Sequence, residues 1–128
     1  MAMAPLEDGL PGSRTLPKSE RLQRGYQFRG AYEQGRKFVG RFVVLYVVDD
    51  LPTGRALGVV TSRKVGNAVA RNRGRRLLRE AYRLNKQKLK TNLQMVMIAR
   101  TAINGKRRQE VEADLLRLFL AAGILNET

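Results

Sequence analysis

The chain has 128 residues, and its 25 Lys and Arg against 11 Asp and Glu give a net charge of +14 at neutral pH. It holds no cysteine and no histidine, which excludes disulfides, thiolate zinc sites and imidazole acid–base chemistry. This length suits one domain, and a pI near 11.2 points to a polyanionic partner.

A nucleic acid fits that charge better than a membrane does. No apolar run approaches the roughly 20 residues that span a bilayer, and no basic stretch has an aromatic-rich opposite face. Met1 to Pro11 has neither a basic lead nor a long apolar core, so no signal peptide is expected and the cytoplasm is the expected location. The acids are scattered apart from Asp49-Asp50 and Glu110/Glu112/Asp114. None of this resembles the carboxylate cluster of a two-metal nuclease.

Residues 1–18 contain Pro5, Pro11 and Pro17 with Gly9, Gly12 and Ser13, the composition of a flexible tail. Residues 19–128 then read as a single α/β domain. Leu22 to Gly35 is a short helix with an extended lead-in, and Phe28, Ala31 and Tyr32 share one face at i, i+3, i+4. Arg36 to Val39 is a short strand broken at Gly40. Arg41 to Val48 is the clearest strand, β-branched and aromatic almost throughout. One of its faces holds Phe42, Val44, Tyr46 and Val48, and the other holds Val43, Leu45 and Val47. Asp49 to Gly54 is a turn cluster that predicts a hairpin into a strand over Arg55 to Ser62. A long basic helix follows from Ala68 to Lys90, then a strand from Leu93 to Arg100, a loop at Asn104-Gly105, and a helix from Arg107 to Ala122 ended by Gly123. The order is α-β-β-β-α-β-α, which predicts one mixed sheet in a two-layer α/β sandwich. The last two strands and the helix between them form a βαβ crossover, right-handed by the general rule.

Charge concentrates in the crossover helix. Arg63 to Lys90 holds eleven Lys and Arg against Glu80 alone, so this window carries +10 of the total. At 100° per residue from Arg71, Leu77, Leu78, Ala81 and Leu84 fall between about 220° and 340°. Arg71, Asn72, Arg75, Arg76, Arg79, Arg83 and Lys86 fall between about 0° and 140°. Arg73 stands on the boundary, able to reach along the core edge or pair with Glu80. Asn67 is placed to cap the helix and Gly66 to turn the chain into it. A solvated helix face mixes charge signs. Here self-repulsion is uncompensated unless an anion docks, and the preference for Arg suits bidentate phosphate contacts. Gly66-Asn67-Ala68 lacks the pattern of a nucleotide-binding phosphate loop.

The run Lys64-Val65-Gly66-Asn67-Ala68-Val69-x-Arg71-Asn72-Arg73-x-x-Arg76-Leu77-x-Arg79 closely resembles the signature of the bacterial ribonuclease P protein subunit. The resemblance extends through Leu22, Phe28, Tyr32, Gly35, Arg41 and Tyr46 upstream and Ile98-Ala99-Arg100 downstream, covering roughly residues 20–122. It implies a four-stranded mixed sheet with an unusual left-handed βαβ crossover, as in the second domain of a small-subunit ribosomal protein. It also implies assembly with a large catalytic RNA that removes the 5′ leader of precursor tRNA. The catalytic magnesium ions would sit on that RNA, with no cofactor, metal or catalytic side chain on the protein. By the same resemblance, Arg63, Lys64, Asn67, Arg71, Asn72, Arg73, Arg75, Arg76, Arg79 and Arg83 would bind the RNA subunit. Phe28, Tyr32, Arg41, Val44 and Tyr46 would line a cleft for the leader, where aromatic faces can stack unpaired bases. Two departures stand out: Tyr32 replaces a more usual Phe, and Gly74 interrupts the basic helix at a cost of about 1 kcal/mol in propensity. The rival reading is a structural RNA-binding protein of the ribosome without processing activity.

Overall fold

The computed structural model describes residues 22, 25–49 and 55–126, so the tail over 1–18 lies outside the described residues. The elements are α1 (Gly25–Gln34), β1 (Arg36–Val39), β2 (Val43–Val48), β3 (Arg55–Val60), α2 (Ala68–Asn85), β4 (Leu93–Ala99) and α3 (Arg108–Ala122). Single 3₁₀ turns occupy Arg63–Val65, Lys86–Lys88 and Thr101–Ile103. The order is the α-β-β-β-α-β-α expected from the pattern.

The strands lie in the spatial order β1-β2-β4-β3. β1 pairs antiparallel with β2, β2 antiparallel with β4, and β3 parallel with β4. This corrects the predicted hairpin: β2 and β3 are consecutive in sequence but β4 stands between them. Central positions go to strands that are apolar on both faces. β4 meets that demand, with Leu93, Met95, Met97 and Ala99 buried on one side and Val96 on the other. Parallel neighbours need a long connection, and α2 makes it.

One face of the sheet carries the main core. Val43, Leu45, Val47, Leu57, Met95 and Met97 pack there against Leu78, Ala81 and Tyr82 of α2 and Val111, Leu115 and Phe119 of α3. Each Val, Leu, Met or Phe among them contributes about 1.5–3 kcal/mol when fully buried. The second face carries Leu22, Ala31 and Val96, with Phe28, Tyr46, Val48, Ala56, Val60 and Ile98 half-buried around them. The alternation predicted for β2 thus holds along the strand. Phe42 departs from it by packing at the edge of the main core.

α1 crosses the second face at an angle to the strands. Lys37, Tyr46, Val96 and Gly58 form one register row across β1, β2, β4 and β3. Phe28 lies on Gly58, where a Cβ would stand 2.4 Å from its Cε1. At the other end of the helix, the ring of Tyr32 meets that of Tyr46. The Leu22 N–H donates to Leu57 O at 2.9 Å and ties that residue to the edge strand β3.

Several element ends differ from the pattern, β3 closing at Val60 rather than Ser62 among them, and two of the differences show their cause. β2 begins at Val43 because the N–H groups of Arg41 and Phe42 donate to the buried Asp114 carboxylate, at 3.1 and 2.9 Å. Gly40 permits this approach, since a Cβ there would lie 2.5 Å from Asp114 Oδ2. α2 ends at Asn85, five residues early. Its side-chain amide donates to Ala81 O and to Glu112 Oε2 of α3, both at 2.8 Å, and the chain continues as a 3₁₀ turn. Gly123 closes α3 in the left-handed region at φ 70°, as expected.

Candidate nucleic-acid interface

The basic surface begins where β3 gives way to a rigid turn. Ser62 Oγ accepts from the Lys64 N–H at 3.2 Å, and the Asn104 side chain donates to Val65 O at 2.6 Å. Gly66, at φ 144°, then turns the chain; a Cβ there would come 2.9 Å from that of Ala70. The Asn67 side chain caps α2 by accepting from the Ala70 N–H at 3.0 Å, as the sequence predicts. Its amide NH₂ is the end left for an anion.

Several cations are pre-set by neutral oxygens, which hold a guanidinium in place without neutralising it. Arg71 donates to Gly66 O and Arg75 to Thr61 Oγ1, each at 2.8 Å. Arg75 also donates to Asn72 Oδ1. Arg73 reaches Lys106 O; it follows the core edge and does not pair with Glu80, whose carboxylate takes Arg83. Arg63, Lys64, Asn72, Arg73, Arg76 and Arg79 are exposed along this turn and the outer side of α2, with Arg71 and Arg75 half-buried among them. Arg83 is the exception, with its side chain only 13% exposed and bound to Glu80.

The core face of α2 is rotated from the predicted one. Tyr82 and Asn85 are buried, while Leu84 is 42% exposed. The helix packs on α3 as well as on the sheet, and the groove between them takes the flank that carries Tyr82. Gly74 is buried too, in an unbroken helix. A Cβ there would meet Thr61, Ile103 and Ala99 at 3.4–3.8 Å, so its site is a close approach of α2 to the strand ends.

The sequence reading left out a second group of cations. Arg100 is exposed and donates to Gly40 O at 2.6 Å. Lys106 sits 5.7 Å above the Phe42 ring, and Arg107 is exposed beside it. The Arg73 contact joins this loop to α2, so the basic surface continues past the helix. The Lys106-Arg107-Arg108 run after Asn104-Gly105 was the available signal.

The second surface lies across the sheet. Tyr32 and Tyr46 meet edge to face, with centroids 4.9 Å apart. Tyr32 is 39% exposed, and Phe28 and Val44 are half-buried nearby on the same face. Burial, with a smaller effect from Tyr46, raises the Tyr32 phenol above the ordinary tyrosine value, so it stays a neutral donor at physiological pH. Arg41 does not join this group. Its backbone is tied to Asp114, and it lines a hollow with Phe42, Glu110 and Arg117 on the α3 side. The residue that the sheet register brings beside Tyr46 is Lys37, which sequence reasoning missed because β1 was read only as a short strand.

No helix among the described residues is long and apolar enough to cross a membrane. A family model described as Ribonuclease P matches residues 16–123. The chain is 41% identical over 110 residues to the ribonuclease P protein component of Clostridium acetobutylicum, covering 84% of this chain and 92% of that one. It is 35% identical over 114 residues to that of Clostridium novyi, covering 87% and 100%. Its fold is similar to the Staphylococcus aureus RNase P protein, with a TM-score of 0.76 at 25% identity over 85% of this chain and 100% of that one. The Thermotoga maritima RNase P protein gives 0.69 at 27% identity over 77% and 94%. The chain belongs to the ribonuclease P protein family.

Proposed function

We propose that this chain is the protein subunit of a ribonucleoprotein endoribonuclease that removes the 5′ leader from precursor tRNA. The observation that carries the reading is the cationic surface of α2. Arg71 and Arg75 are held in place there by neutral oxygens, among exposed arginines of a chain that matches the family model over residues 16–123. A phosphodiester backbone is the partner such a surface fits, and the catalytic RNA subunit is that partner. The reading places the catalytic magnesium ions on the RNA. The protein contributes binding, working in the cytoplasm, and a chain without histidine has no imidazole to move protons.

The cleft between α1 and the sheet is proposed for the leader strand. Tyr32, Tyr46 and Phe28 offer sequence-tolerant stacking at about 1–3 kcal/mol per base. The two surfaces lie on opposite faces of the sheet and meet at its end, where Val60 runs into Thr61 and Thr61 holds Arg75. One RNA–protein complex could therefore hold the catalytic RNA on one side and pass the leader along the other. Reconstitution with the cognate RNA at low magnesium tests this. The protein should raise the rate of 5′ cleavage of precursor tRNA. No gain would leave the rival reading, a ribosomal RNA-binding protein, which should instead co-sediment with ribosomal subunits.

A further inference from the structure

Three cations flank the β1–β2 connection: the Arg36 guanidinium is engaged, and Arg41 belongs to the α3 side. Arg36 pairs with Asp49 at 2.7 Å and donates to Ala122 O at 2.9 Å. Arg41 has its backbone N–H on Asp114 and belongs to the hollow beside Arg117. Lys37 lies between them and differs from both. It is the direct cross-strand partner of Tyr46, and its Nζ stands 5.8 Å from the Tyr46 ring centroid. It is exposed, and among the described residues no carboxylate forms an ion pair with it.

The register explains why this charge faces the cleft. Successive residues of a strand point to opposite faces. Arg36 therefore turns toward the end of α3, and Lys37 toward the face that α1 crosses. α1 covers the row from Gly58 through Val96 to Tyr46 and stops there. Lys37 ends the same row on the edge strand, beyond the end of α1, and is exposed. An ammonium above an aromatic face is held by the ring quadrupole, and this one stands beside the ring of Tyr46. A base stacking at Tyr32 and Tyr46 would carry its phosphate past that charge.

We propose that Lys37 is a phosphate anchor of the leader cleft, fixing the backbone of the nucleotide stacked at Tyr32 and Tyr46. This rests on the leader reading of that cleft and adds to it the residue that supplies its positive charge.

The test is binding of precursor tRNA and mature tRNA by the reconstituted holoenzyme across a salt series. Lys37→Met keeps the aliphatic stem over Tyr46 and removes the charge; Lys37→Arg keeps the charge. With Lys37→Met, precursor affinity should fall roughly tenfold at low salt. Its log–log salt slope should become shallower by roughly 0.7, the value for one phosphate on a single strand. Mature tRNA binding should not change, and Lys37→Arg should behave as the unsubstituted protein. An unchanged precursor slope with Lys37→Met, or an equal loss on mature tRNA, overturns the proposal. Tyr46→Ala in the same series separates the two levels. If it still weakens precursor selectively while Lys37→Met has no effect, the cleft stands and the anchor falls. If neither substitution separates precursor from mature tRNA, the leader reading itself falls.

Discussion

At the scale of the residue, small side chains and one buried acid set the geometry of both surfaces. Gly58 lets the Phe28 ring rest on β3, and Gly40 lets the Asp114 carboxylate reach the β1–β2 turn. In Gly58→Ala the new Cβ would fall 2.4 Å from Phe28 Cε1 and 3.1 Å from Leu22 Cδ1. The ring must move, and α1 with it. The expected loss is about 1–3 kcal/mol of stability, read in a denaturant melt, together with weaker binding of leader-bearing substrate. The shared face of Phe28, Ala31 and Tyr32 was legible in the sequence because helical spacing alone puts those residues together. Asp114 was not legible. Its partners lie 73 and 72 residues earlier in the chain, and no local pattern marks an acid that will cap a distant turn.

At the scale of the element, α2 joins the core to the basic surface. Its N-cap, its starting turn and its cationic run follow from local chemistry, and all three were legible. Its rotation was not, because an ideal wheel assumes one packing partner. α2 has two, and α3 draws Tyr82 and Asn85 inward while Leu84 is left exposed. Gly74 invites a clear experiment. The helix is continuous through it, and the nearest atom to an added Cβ is Thr61 Cγ2 at an ordinary 3.4 Å. Gly74→Ala should therefore recover most of the propensity difference, raising stability by about 0.5–1 kcal/mol. RNA-subunit affinity should be unchanged, since no cation moves. A destabilised variant would mean that the close approach to Thr61 tolerates no added methyl. The strand order shows the opposite limit of local reasoning. A turn cluster after β2 reads as a hairpin, yet which strand fills the centre is decided by two-faced burial, and β4 arrives later in the chain to claim it.

At the scale of the whole molecule, a four-stranded sheet separates two surfaces of different chemistry. One is cationic and prearranged by α2, the Arg63–Val65 turn and the Arg100–Arg107 loop. The other is aromatic, formed where α1 crosses the sheet, with Lys37 at its open edge. The charge imbalance and the family signature made the first surface legible. The second was only half legible: its rings could be named, but its cation was assigned to Arg41, and only the β1–β2 register identifies Lys37. The central claim is that the two surfaces bind different RNAs. It is tested most directly by comparing Tyr46→Ala and Arg76→Ala in binding precursor tRNA, mature tRNA and the RNA subunit. Tyr46→Ala should cost about 1–3 kcal/mol on precursor tRNA alone, and Arg76→Ala should weaken assembly with the RNA subunit. Equal losses on precursor and mature tRNA from Tyr46→Ala, with assembly untouched by Arg76→Ala, would contradict the account.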